Sequence, residues 1–204
     1  MYPEWEGTVR KVAGAWRNTS ITGRPLRMLE LAGSLTKAVA YRGTLFRLDR
    51  DRTDYLRRRL NGQGLPEVEA GASAIAQVEA AARRLLTLLD PQDFELLVDL
   101  IFTHSGWRRL GELGRTSKDL DLEVELPSTG ERAWIQVKSK ASDAVLAESV
   151  AKVDLLPYPR LFFVYHTGEV HKPSDGRVLV IGPNELATLV VDAGLVRWLI
   201  DKVS

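Results

Sequence analysis

Hydrophobic and polar residues change period along this chain, and each change marks an element. In "SAIAQVEAAARRLLTLL", residues 73–89, apolar positions recur every three or four residues among strong helix formers, which predicts a helix. The helical period returns in "PQDFELLVDLIFTHSG". There Asp90 is placed as N-cap, Pro91 takes the first helical position, and Gly106 lies just past the end. Phe94, Leu97, Val98 and Ile101 form its apolar stripe, with Glu95 beside it. The period then drops to two in "DLDLEVEL" and "RAWIQVKS", and Pro127 and Gly130 between them predict a hairpin. "SDAVLAESVAKVDLL" reads as a helix capped by Ser142. "RLFFVYH" and "RVLVIG" are short, almost wholly apolar runs, as expected of strands covered on both faces. "NELATLVVDAGLVRWLIDKV" closes the series as one or two helices, with Asn184 as cap and Gly194 as break. From residue 90 the order is α-β-β-α-β-β-α, which predicts an α/β sandwich with a mixed central sheet flanked by helices.

The first third is less regular. "PLRMLELAGSLTKAVA" predicts an amphipathic helix over 25–40, "YRGTLFRL" has strand character, and "DRTDYLRRRLNG" predicts a short helix closed by Asn61-Gly62. "GQGLPEVEAG" predicts a hinge. The division expected is a smaller, mostly helical segment over 1–66, a connecting helix over 67–89 and a main domain over 90–204.

Composition narrows the chemistry. There are no cysteines, which excludes disulfides and thiolate metal sites, and His104, His166 and His171 show no metal-ligand spacing. No apolar run nears the roughly 20 residues that span a bilayer, and the start lacks the layout of a secretory signal, so no membrane association and a cytoplasmic location are expected. The net charge of +1 conceals an asymmetry: residues 1–65 hold 13 Lys/Arg against 6 Asp/Glu, or +7, and the remainder holds 15 against 21, or −6. That pattern points weakly to a polyanionic partner. The Arg57-Arg58-Arg59 run could grip phosphates, and it serves equally as an exposed helix face.

One stretch resists a purely structural reading. In 132–142 the strand alternation sets Ile135 and Val137 on one face and Gln136 and Lys138 on the other, with Trp134 on the polar side. In the preceding strand Asp121, Glu123 and Glu125 share a face, so pairing can bring a carboxylate beside Gln136 and Lys138. A carboxylate, an amide oxygen and an ammonium on rigid strands suit phosphodiester hydrolysis. Mg²⁺ takes oxygen ligands and keeps several waters. It lowers the pKa of a bound water, while the lysine stabilises charge growing on the phosphate.

These pieces resemble a known family. Phe94-Glu95 with Val98, Gly106-Trp107, Lys118-Asp119 with Asp121, and Gln136-Val137-Lys138 look like the Mrr-type branch of the PD-(D/E)xK nucleases, over about residues 90–182. The resemblance implies a restriction-endonuclease-like fold and a Mg²⁺-dependent endonuclease, with Mn²⁺ as substitute, that hydrolyses DNA phosphodiesters in a restriction, defence or DNA-processing role. It implies Asp121 and Gln136 as metal ligands, with Asp119 the competing carboxylate. Lys138 would be the catalytic lysine, and Glu95 would reach the metal from its helix. Residues 1–66 would target DNA or mediate dimerisation, a homodimer being common where both strands are cut. Arg57, Arg58, Lys140 and Trp134 are the candidates for nucleic-acid contact. Two other classes compete: a nucleic-acid-binding module that keeps the scaffold but does not cut, and a protein-interaction domain.

Overall fold

The structure is a computed structural model that describes residues 14–15, 17–39, 47–110, 122–153 and 160–204. The chain divides into two compact units, residues 1–71 and 72–204.

The first unit holds a 3-10 turn over Met28–Glu30, α1 over Gly33–Val39, α2 over Arg50–Leu60, and the start of α3, which spans Pro66–Leu86. A tight bend precedes them: Thr19 bridges Pro25, and Ser20 Oγ accepts from the Arg24 N–H at 3.0 Å. The single helix expected over 25–40 is instead interrupted. Leu31 is extended, and the Ala32 N–H donates to the Tyr55 hydroxyl at 2.9 Å, so a tertiary bond outcompetes a helical one. α2 begins at Asp49, whose carboxylate accepts from the Arg52 N–H, and closes at Asn61-Gly62 as predicted. The hinge shrinks to residues 63–65, because α3 starts at Pro66 with proline in a helix-initiating place. Most of the strand expected in "YRGTLFRL" lies outside the described residues.

The second unit is α/β. After α3 come α4 (Pro91–His104), β1 (Arg108–Arg109), β2 (Leu122–Leu126), β3 (Glu131–Ala141), α5 (Asp143–Val153), β4 (Leu161–Gly168), β5 (Val178–Ile181), α6 (Pro183–Asp192) and α7 (Val196–Val203). The five strands stand in the order β1-β2-β3-β4-β5, antiparallel from β1 to β3 and parallel from β3 to β5. α5 links the parallel neighbours β3 and β4, as a parallel pair requires.

Alternation sorts the sheet residues into two cores. Leu122, Val124, Ile135, Val137 and Val164 join the stripe of α4 and the apolar faces of α6 and α7 in one cluster. Leu161, Phe163 and Tyr165 join Leu146 and Val153 of α5 in the other, with Trp134 packed against it. β3 and β4 are thus covered on both sides. β5 is not: Leu179 is exposed, because this strand is an edge.

Two further expectations change. β1 is two residues long, too short to show a period, and is fixed by pairing and by the Arg108–Glu125 bond at 3.0 Å. α6 starts after Gly182 without a side-chain cap. Asn184 sits inside the helix, where its amide oxygen accepts from Arg83 at 2.9 Å. Gly194, at φ +70°, does separate α6 from α7.

Candidate functional site

Gln136 and Lys138 stand near the middle of β3, the central strand. On one side of the Gln136 face run Phe163 and Tyr165 of β4, since Gln136 pairs with Phe163 and Lys138 with Tyr165. Gln136 is 3% exposed and Lys138 is half-buried. An amide is buried on a central strand only where hydrogen bonds satisfy it. Same-face residues on a strand repeat at roughly 6.7 Å, within the span a flexible lysine bridges. Lys138 has no carboxylate partner among the described residues. The Tyr165 phenol beyond it is pushed up in pKa, first by burial and then by the nearby Glu185 carboxylate, so it stays neutral.

The antiparallel register shows which acids of β2 can join them. Leu122 faces Ile135, Glu123 faces Trp134 and Glu125 faces Arg132. Glu125 is also clamped by the Arg108 and Arg132 guanidinium groups, each at 3.0 Å. Neither glutamate is opposite Gln136. Asp121 and Asp119 lie outside the described residues. In the chain Asp121 directly precedes Leu122, and Gln136 directly follows Leu122's partner Ile135.

Glu95 is exposed on α4. The buried stripe of α4 covers the Ile135/Val137 face of β3, the face opposite Gln136 by alternation. Lys140, exposed and paired with Thr167, continues the Gln136/Lys138 face toward the end of β3. Trp134 on that face is half-buried against the α5 cluster. Trp107 serves packing: its ring meets Phe162 edge-on at 5.5 Å and Phe102 at 6.3 Å.

In kind, the donors fit a hard, oxygen-seeking cation, since Gln136 contributes an amide oxygen and no sulfur or imidazole ligand is on this face of β3. Among the described residues no group of three or more His, Asp or Glu is gathered for a metal.

In the first unit the arginine run splits. Arg57 is exposed and lies 3.6 Å from Asp54. Arg58 and Arg59 instead turn into a pocket that also takes in Arg24 and Tyr55. Arg24 and Tyr55 carried no functional weight in the sequence, where the phosphate-gripping reading rested on the Arg57-Arg58-Arg59 run alone. For Tyr55 the signal was its i, i+3, i+4 spacing with Arg58 and Arg59 on one helical face.

Among the described residues no helix is long and apolar enough to cross a membrane. No family model, curated protein or solved structure matches the chain.

Proposed function

We propose that the chain is a metal-dependent endonuclease hydrolysing DNA phosphodiester bonds, on a restriction-endonuclease-like version of its α/β fold and in the Mrr-type branch of the PD-(D/E)xK nucleases. One observation carries the reading: a buried Gln136 and a half-buried Lys138 without a carboxylate partner among the described residues share one face of the central strand. A merely solvated strand face would hold neither group so deeply.

In this reading Gln136 and Asp121 would hold a Mg²⁺ ion, with Mn²⁺ as substitute, while Glu95, exposed on the helix that covers the opposite face of β3, stands outside that ligand pair. The cation would supply a bound water of lowered pKa and offset charge on the phosphate. Lys138 orients the attacking water and stabilises the charge developing on the phosphate oxygens, an interaction of about 4 kcal/mol for charges ~4 Å apart at an effective dielectric near 20. The water oxygen bonds to phosphorus, the P–O bond to the leaving sugar breaks, and the proton given up by the water is balanced by one taken up by the sugar oxygen, leaving a phosphomonoester and a hydroxyl end. Lys140 and Trp134, further along the same face, flank the path of the strand being cut. A homodimer accounts for cutting both strands, and the basic first unit contributes DNA affinity.

The test is incubation of plasmid, linear and branched DNA with the chain in Mg²⁺ or Mn²⁺, against Lys138→Ala. Wild type should nick or linearise DNA and stop when the metal is chelated, with the variant at least about a hundredfold slower. Equal cutting by both removes the reading. DNA binding by wild type with no cutting in either metal would move the assignment to a non-cleaving module.

A further inference from the structure

Two arginine-lined concavities differ in how their charge is matched. In the second unit Arg132, Arg160 and Arg177 border one cavity. Each is already engaged: Arg132 with Glu125 at 3.0 Å, Arg160 with Glu131 at 2.6 Å and Arg177 with Asp175 at 2.7 Å. In the first unit Arg24, Arg58 and Arg59 border another cavity together with Tyr55, Gln63 and Leu65. Here Arg24 and Arg58 have no ion-pair or hydrogen-bond partner for their guanidinium groups among the described residues. Arg59 Nη2 sits 3.8 Å from the Glu30 carboxylate, beyond hydrogen-bond reach. Its Nε and Nη2 are nevertheless buried without an acceptor among the described residues.

Basic residues in the last turn of α2 favour the negative pole of the helix. That role is met by exposed side chains and does not call for guanidinium nitrogens sealed from water, which carry a desolvation penalty until an acceptor arrives. Beside the apolar Leu65 and Val68, the polar part of the lining is mainly donors. The Tyr55 hydroxyl accepts from the Ala32 N–H at 2.9 Å and so keeps its own proton to donate. Gln63 adds an amide.

We propose that this pocket binds a phosphomonoester, the dianionic phosphate at the end of a nucleic-acid strand or of a small phosphorylated molecule. Three guanidinium groups against one nearby carboxylate, Glu30 at 3.8 Å from Arg59, leave a surplus of two positive charges that favours a dianion over the single charge of a backbone diester. Its volume of about 130 Å³ is below the roughly 300–1,000 Å³ of sites that enclose a drug-sized ligand, so it takes a terminal group rather than a whole molecule. The proposal is independent of the nuclease reading: a chain that binds this phosphate and cuts nothing would leave it intact.

The test uses the full chain at one fixed salt concentration, because phosphate affinity depends on salt. Fluorescence anisotropy compares one oligonucleotide sequence bearing a 5′-phosphate, a 3′-phosphate or only hydroxyl ends, and ³¹P NMR follows inorganic phosphate. A terminal phosphate should tighten binding about tenfold, the scale of one charge-assisted hydrogen bond. Arg58→Gln and, separately, Arg24→Gln should bring that ratio to about one while melting like wild type. If the three oligonucleotides bind alike but inorganic phosphate binds wild type and not Arg58→Gln, the pocket serves small phosphorylated molecules. If neither terminal phosphates nor inorganic phosphate distinguish wild type from the two variants, the proposal is overturned.

Discussion

Gln136 and His166 are both buried polar residues on neighbouring strands, and they face opposite ways. Gln136 was legible because alternation alone put an amide where a covered strand wants an apolar residue. His166 was not, since one histidine at the end of an apolar run gives no pattern. In the structure its ring meets Phe94 edge-on at 4.6 Å, Nδ1 lies 2.8 Å from the Thr167 hydroxyl, and Nε2 is buried without a partner among the described residues. Burial holds its pKa below the ordinary histidine value. The contribution of neutral His166 is therefore intact above about pH 6.5, the unfolded histidine value, and is lost as pH falls from there through the lowered folded value, the range in which the unfolded state binds more protons. His171 works in the opposite sense. Its hydrogen bond to Asp143 raises its pKa, so that contribution is present below about pH 6.5 and fades as pH rises through the folded value. Urea unfolding at pH 5.5 and 7.5 separates them. Wild type should lose more stability on acidification than His166→Gln, in which the His171–Asp143 bond is unchanged. Equal losses would mean that His166 is not held neutral by its surroundings.

Elements were readable where a local rule and the tertiary environment agree. Asp90 is the clearest case: its carboxylate accepts from the Gln92 and Asp93 N–H groups at 3.0 and 3.1 Å, ahead of a stripe whose Phe94, Leu97 and Val98 are fully buried. Asp90→Ala should cost about 1 kcal/mol, seen as a melting temperature lower by roughly 2–4 °C for a protein of this size. An unchanged melt would mean that packing of α4 alone sets its start. The misreadings share one cause, which is that long-range partners leave no local mark. β1 exists through its pairing with β2, the expected helix over 25–40 yields to a bond from the Ala32 N–H to the Tyr55 hydroxyl 23 residues away, and Asn184 was drawn from capping to a partner at Arg83. The candidate site divides in the same way. The Gln136/Lys138 face follows from period two alone, and the register then shows that Glu123 and Glu125 are opposite Trp134 and Arg132 rather than Gln136.

At the scale of the whole molecule, the core redraws the boundary that composition suggested. A main domain beginning at residue 90 would start at the Asp90 cap and leave the preceding helix as a connector. Yet Ala82 and Leu86 of α3, together with Leu89, are buried in the same cluster as Phe94, Leu97 and Leu186, at 1%, 0% and 7% exposure. The compact unit correspondingly begins at Ala72, within α3. Removing three such side chains opens the α4–α6 side of the core to water, and losing even one large buried aliphatic residue costs ~2–5 kcal/mol, a large share of the ~5–15 kcal/mol that holds a domain together. A fragment of residues 66–204, which keeps all of α3, should therefore unfold in a single cooperative transition. A fragment of residues 90–204 should melt at a much lower temperature or lack a cooperative transition. Circular dichroism melts of the two fragments, with limited proteolysis of the full chain, decide it. Equal stability would show that α3 packs on the sheet without supporting it, and would return the boundary to Asp90.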